Sequence, residues 1–299
     1  MQNDFEISQL RHFVVVAKLQ NFTKAAEELN ISQPALSRSI QKLESDLGHQ
    51  LFERKHRRII LTNLGQTLLT KSQAILSLVQ DTSNLIQEEG RISKIRLGAI
   101  PTVAPYILPS FLKQFATNHQ DIATLVQEDV TENLIKRCRL GEIDAIMTAL
   151  PIPDRNLKVE FSYDEELMLC CPKGHPLDHQ DTAIDAHQIS AYPFITLNEA
   201  HCLSEDINQY CRQQSVNPVT VEKISQIFTV QELISLNHGI SILPESVSKL
   251  DNCPLRVYKR IQNPPKRSIA IITNPYTYQN PKLEVLLDEL RKFMLKPMT

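Results

Sequence analysis

The sequence predicts an α/β protein with a helical module at its head, and three observations carry that prediction. In residues 8–47, apolar groups recur at helical spacing in three short blocks separated by turn and capping residues. Residues 63–89 hold one long apolar stripe. From Ser93 onward, short apolar runs such as IRLGAI, ATLVQ, DAIMTAL and LMLCC alternate with helical patterns at 104–117, 131–140, 204–215 and 281–296. Such alternation points to α/β packing with largely parallel sheets.

The first helix falls on SQLRHFVVVAKLQ, with Leu10, Phe13, Val14 and Ala17 in register. A second opens at Phe22 and Thr23 and carries Ala25, Ala26 and Leu29. Ser32 is placed to cap a third, with Pro34 in the first turn, where its missing N–H costs nothing. That helix ends at Gly48. QLFERKHRRIILT then reads as two short extended pieces around a charged tip. The next segment, with Leu64, Leu68, Ile75 and Leu78 on its stripe, is too apolar for a lone exposed helix and calls for a partner; Gly90 ends it.

On a helical wheel, Leu36, Ile40, Leu43 and Leu47 fall within about 60° of one another, and Pro34, Ser37, Arg38, Gln41 and Ser45 lie opposite. Short polar side chains let a helix approach the DNA major groove, Arg reaches guanine edges or phosphate, and Gln pairs with adenine. Alanines in the second helix permit the close crossing of a helix-turn-helix. The chain as a whole carries a net charge of −2, so it is not a globally basic nucleic-acid binder. From Leu29 to Thr62, however, the cations Arg38, Lys42, Arg54, Lys55, Arg57 and Arg58 face only Glu44, Asp46 and Glu53. The RKHRR tip suits a wing touching backbone or minor groove.

Residues 8–65 resemble the winged helix-turn-helix of LysR-type transcriptional regulators, in LRHFVVVA, FTKAAEELNISQPALSRSIQKLESDLG, LFER and LTNLG. The resemblance runs the length of the chain. It implies a DNA-binding domain at 1–62, a linking and dimerising helix at 63–91, and an effector domain at 92–299 like the periplasmic solute-binding proteins, with lobe I at 92–162 and 268–299 and lobe II at 163–267. By the same resemblance Ser32, Gln33, Pro34, Ser37 and Arg38 approach double-stranded promoter DNA, with Gln41 joining them from its place on the wheel, and Arg54, Arg57 and Arg58 form the wing. Leu64, Leu68, Ile75 and Leu78 would join twin helices into a homodimer, and dimers into a homotetramer; RNA polymerase is a further implied partner.

The effector domain is expected to bind a small molecule, a carboxylate by preference, where helix N-termini converge at the ends of strands. AIPTVAPYILP supplies Thr102 and Val103, the 131–140 pattern opens at Thr131, NEAHCLSED supplies His201, Cys202 and Ser204, and SQIFTVQEL supplies Phe228 and Thr229. The alternative is thiol redox sensing. Cys202 falls at a helix start, which stabilises a thiolate, and Cys211 follows nine residues later. Along an intact helix the two lie on opposite faces, roughly 13 Å apart, too far for a disulfide unless the helix reorganises. HCLSEDINQYC is similar to the corresponding segment of peroxide-sensing members of the family, with Ser204 where those carry an arginine. Glu205 and Asp206 would oppose thiolate formation.

The six cysteines form no C-x-x-C pair and no His/Cys cluster at zinc spacing, so neither a metal nor a cofactor is expected. No G-x-S-x-G elbow, P-loop, H-E-x-x-H or dinucleotide fingerprint is present, and seven glycines leave little for phosphate loops; an enzyme is not indicated. An acidic N-terminus and the lack of a membrane-length apolar run point to a cytoplasmic protein.

Overall fold

A computed structural model of the chain describes residues 5–55, 58–87, 92–198, 202–276 and 280–295. Two compact units result: one comprises 1–90 with 139–142 and 275–279, the other 91–138, 143–274 and 280–299.

In the first unit, α1 (Ile7–Leu19), α2 (Phe22–Glu28) and α3 (Gln33–Leu47) close around Leu10, Phe13, Val16, Leu36, Ile40 and Leu43. Ala25 and Ala26 are buried, and their small size lets α2 cross its neighbours closely. Asn21 caps α2 by accepting from the amides of Thr23 and Lys24 at 2.9 and 3.1 Å. Ser32 caps α3 through the Ala35 amide, and Gly48 ends it at φ 70°, where any Cβ would be strained. Glu44 of α3 accepts from the amides of Leu51 and Phe52 at 2.7 and 3.3 Å, tying the helix to the strand that follows. That strand, β1 (Phe52–Lys55), pairs antiparallel with β2 (Arg58–Leu61). Then comes α4 (Asn63–Gln87), 25 residues and roughly 37 Å long. Its Gly65 lies so near Leu51 that an added Cβ would meet the Leu51 carbonyl oxygen at 2.2 Å. The expected stop at Gly90 lies outside the described residues.

The second unit runs β3 (Ser93–Ala99), α5 (Ala104–Asn118), β4 (Ile122–Glu128), α6 (Thr131–Arg139), β5 (Ala145–Ala149) and β6 (Lys158–Pro172). It continues through β7 (Pro193–Leu197), α7 (Cys202–Gln213), β8 (Val219–Ile224), α8 (Ile227–Ser235), β9 (Ser241–Pro244) and α9 (Glu245–Leu250). Then β10 (Arg256–Lys259), β11 (Lys266–Thr273) and α10 (Pro281–Leu295) complete it. The main sheet has the order β10-β6-β11-β5-β3-β4, with β9 also on β6.

The sheets are mixed, which corrects the expectation of largely parallel ones. Among the described residues, parallel pairing of strands is limited to β3–β4, β3–β5 and the separate β7–β8 pair, besides two isolated bridges, whereas β11 runs antiparallel to β5 and β6, and β6 runs antiparallel to β9 and β10. A short apolar run reveals burial on both faces but not direction, so the pattern was blind to this.

Two cores share β6. One gathers Ile95, Leu97, Phe111, Leu134, Ile146 and Ile271, with Phe161 and Tyr163 of β6 packed against it. The other holds Leu167 and Leu169 of β6 with Phe194, Leu203, Val230 and Ile242. At about 3.3 Å per residue, a 15-residue strand is long enough to serve both lobes. The starts of α5 and α8 line one cavity, and the first residues of α6 and α7 meet each other. Helix α7 starts at Cys202, two residues ahead of the 204–215 pattern, so that Cys202 stands in its first turn.

Candidate DNA-reading helix and effector cleft

Helix α3 divides as the wheel requires. Leu36, Ile40 and Leu43 are buried, while Ser32, Gln33, Pro34, Arg38 and Gln41 are exposed and Ser37 is half-buried. Gln33 donates to the Ser37 hydroxyl at 2.9 Å, which orders the first turn. Arg38 has no ion-pair partner among the described residues, leaving its five donors for another molecule. His12 of α1 meets Ser39 at 2.8 Å and fixes the back of the helix. The side chains of Arg54 and Arg58, all of Arg57 and all of His201 lie outside the described residues.

Along α4 the apolar residues divide. Leu68 packs against the N-terminal core, whereas Leu64, Ile75 and Leu78 remain exposed.

In the second unit, α6 and α7 bring their first residues together across the lobes. The Thr131 hydroxyl lies 3.2 Å from Cys202 Sγ and 2.8 Å from the hydroxyl of Thr148 on β5. Thr148 is fully buried, so the Thr131 oxygen is held in place from behind. The first turns of two helices therefore meet at one thiol. Cys202 is half-buried and packs toward the lobe I core, while Cys211, on the far side of the same helix, belongs to the lobe II core. Burial raises the Cys211 thiol above its ordinary value, with Arg212 opposing. Burial also pushes Cys138 and Cys170 up to about 12 and Cys171 up to about 11, which keeps them protonated.

Other predicted effector residues are already engaged. Ser204 is buried and donates to the Leu197 carbonyl at 3.0 Å. Thr102, next to the Val103 cap of α5, accepts from Arg267 at 2.9 Å through its hydroxyl and at 3.1 Å through its carbonyl. Arg267 is itself paired with Glu165. Phe228 and Thr229 are exposed at the start of α8. Phe228 lines a separate cavity of about 380 Å³ with Pro101, Pro105, Tyr106, Glu128, Asp251 and Arg256, among others. Arg256 is committed there to Asp251 and Glu232. Sequence reasoning passed over Thr148, Glu165 and Arg267; each sits inside a strand, where nothing local distinguishes a cleft residue from a core one.

A winged helix-turn-helix in one unit and two α/β lobes in the other define a DNA-binding regulator that carries its own effector domain. Residues 7–66 match the bacterial regulatory helix-turn-helix protein family of LysR type, and residues 88–295 match the LysR substrate binding domain. The chain belongs to the LysR family of transcriptional regulators, which are not enzymes. Among its relatives is a probable hydrogen peroxide-inducible genes activator of Mycobacterium leprae, 32% identical over 249 residues, spanning 82% of this chain and 80% of that one. Another is the transcriptional regulator EstR of Acinetobacter baylyi, 30% identical over 294 residues and 96% of each chain. A full-length OxyR variant from Pseudomonas aeruginosa superposes with a TM-score of 0.73 at 27% identity, covering 96% of this chain and 95% of that one. Among the described residues, no helix is long and apolar enough to cross a membrane.

Proposed function

We propose that this regulator is switched by oxidation of Cys202, with Cys211 as the second thiol. The observation that carries the reading is the contact of Thr131 Oγ1 with Cys202 Sγ at 3.2 Å, where α6 and α7 both begin. The Thr131 hydroxyl is placed to hold a peroxide oxygen beside the sulfur. Attack of the sulfur on one peroxide oxygen breaks the O–O bond and yields a sulfenic acid and water. The Cys211 thiol then displaces that hydroxyl as a second water, leaving a disulfide. Because the two cysteines face different cores along an intact helix, the bond requires α7 to unwind, and that rearrangement is the switch. Peroxide-inducible activators among the relatives support the same reading.

A carboxylate effector fits less well. Of the charged groups lining the 380 Å³ cavity, Glu128 and Asp251 are acidic, and Arg256 is neutralised by its own partners. At the DNA end, residues 1–62 are the reader and 63–91 the link; Ser32, Gln33, Pro34, Ser37, Arg38 and Gln41 enter the major groove. The exposed Leu64, Ile75 and Leu78 pair two copies, and pairs assemble further on promoter DNA.

Treating the reduced full-length chain with sub-millimolar peroxide and mapping thiols by mass spectrometry tests the proposal. A Cys202 sulfenate followed by a Cys202–Cys211 disulfide is expected, together with altered binding of promoter fragments. Unmodified Cys202 ends the redox reading.

A further inference from the structure

The residue one turn below the reactive thiol has no structural task to explain it. Asp206 lies four positions after Cys202 on α7, and side chains so spaced share a face with Cβ atoms about 6 Å apart. Helical side chains lean toward the N-terminus, which aims the Asp206 carboxyl at the turn that carries Cys202. Its Oδ2 is buried and has no hydrogen-bond partner among the described residues. A carboxylate oxygen kept from water and left unpaired costs the fold stability, so its retention asks for a use.

The surroundings separate it from its neighbour. Glu205 is exposed and held by Arg212 at 2.6 Å, so it turns away from the thiol. Among the described residues, the opposite charge that acts on Asp206 is Arg267 on β11, which is already paired with Glu165 of β6 and cannot fully neutralise a second acid. Strand β7, also packed on α7, brings no charged residue. The Oδ2 of this carboxyl is therefore shielded, unpaired among the described residues and on the helical turn after the sulfur.

We propose that Asp206 is the proton-transfer group of the oxidation at Cys202, a role that rests on the redox reading above. As a carboxylate it takes the Cys202 proton through one bridging water. The sulfur lone pair then attacks one oxygen of a hydroperoxide, the O–O bonding pair leaves on the other oxygen, and the Asp206 proton passes to that leaving oxyanion. For hydrogen peroxide the products are the Cys202 sulfenic acid and water, and Asp206 is a carboxylate again. The acid that would ordinarily disfavour a neighbouring thiolate thus supplies both proton steps. Burial pushes the Asp206 carboxyl up to about 6, with Arg267 pulling it down and Glu205 adding to the rise. That makes it a stronger base than an ordinary carboxylate, yet still ionised near neutrality.

The experiment follows Cys202 oxidation by hydrogen peroxide and, separately, its alkylation by iodoacetamide, across pH in the full chain, Asp206→Asn and Asp206→Glu. The wild-type oxidation rate is expected to climb through about pH 6 as the base ionises. Asp206→Asn should oxidise roughly a hundredfold more slowly and lose that inflection. Its alkylation, which needs only the thiolate, should be undiminished, since a neighbouring negative charge is gone; Asp206→Glu should recover part of the oxidation rate. Equal oxidation in wild type and Asp206→Asn overturns the proposal, and so does a parallel fall in oxidation and alkylation, which marks a structural role. A wild-type Cys202 inert to peroxide brings down the redox reading itself, an outcome distinct from a reactive wild type with an unaffected Asn variant.

Discussion

Glu165 and Arg267 stand directly opposite one another on β6 and β11 and form an ion pair at 2.7 Å with both side chains buried. Each also reaches a different lobe. Arg267 donates to Thr102 ahead of α5, and Glu165 accepts from the Ser246 amide at the start of α9 at 2.9 Å. The pair is thus the joint between the lobes. Replacing Glu165 by Ala strands a buried guanidinium and should cost about 3–5 kcal/mol, read as a lowered urea midpoint of the full chain. Unchanged stability would show that the joint carries no such strain.

Thr131 bridges Cys202 and the buried Thr148 hydroxyl. Thr131→Val removes the hydroxyl beside the sulfur and takes this partner from Thr148, at about 1–3 kcal/mol of stability. Peroxide oxidation of Cys202 should slow, and Thr131→Ser should restore it. Quenched-flow mass spectrometry reads both.

Asp206 gives stability a pH signature. Its folded-state carboxyl is raised from 3.8 to about 6, so the folded chain holds the proton more tightly than the unfolded one. The associated stability is fully present below the lower value and is lost as pH rises through the upper one. Asp206→Asn should therefore melt above wild type at about pH 7.5, with the gap closing toward about pH 4. A constant difference across that range would remove Asp206 from the titration.

Gly65 lets α4 approach Leu51. Gly65→Ala puts a methyl group against a backbone carbonyl, which cannot rotate away, and should destabilise the N-terminal unit by about 1–3 kcal/mol. The melting transition of that unit checks it.

At the reading helix, Arg38→Ala should weaken promoter binding by about 1–3 kcal/mol, roughly tenfold to a hundredfold, and relax sequence preference. Gel shifts at two salt concentrations separate base contact from phosphate contact. On α4, pairing Ile75→Glu with Leu78→Glu should dissolve dimers, because those two are exposed whereas Leu68 is spent on the core. Sedimentation reads this, and intact dimers would place the dimer contact elsewhere.

Much of the N-terminal unit was legible in the sequence because its signals are local. A cap at Ser32, a stop at Gly48 and a leucine stripe each act within a few residues, and the helix forms where they say. The thiol pair was legible for the same reason, since two cysteines on one helix have a separation set by its rise. Strand direction was not, because an apolar run pairs equally well either way until the long β6 and β11 commit it.

What the chain by itself determined is therefore the N-terminal helices, with the buried stripe and the exposed face of α3. Only the tertiary structure decided which of the predicted effector residues are free. It spends Ser204 on Leu197 and Thr102 on Arg267, and it brings Thr131 to Cys202 over a sequence separation of 71. The physical reason is range: caps and periodicity act over one or two turns. A hydroxyl's partner across a cleft depends on how two cores pack along one shared strand.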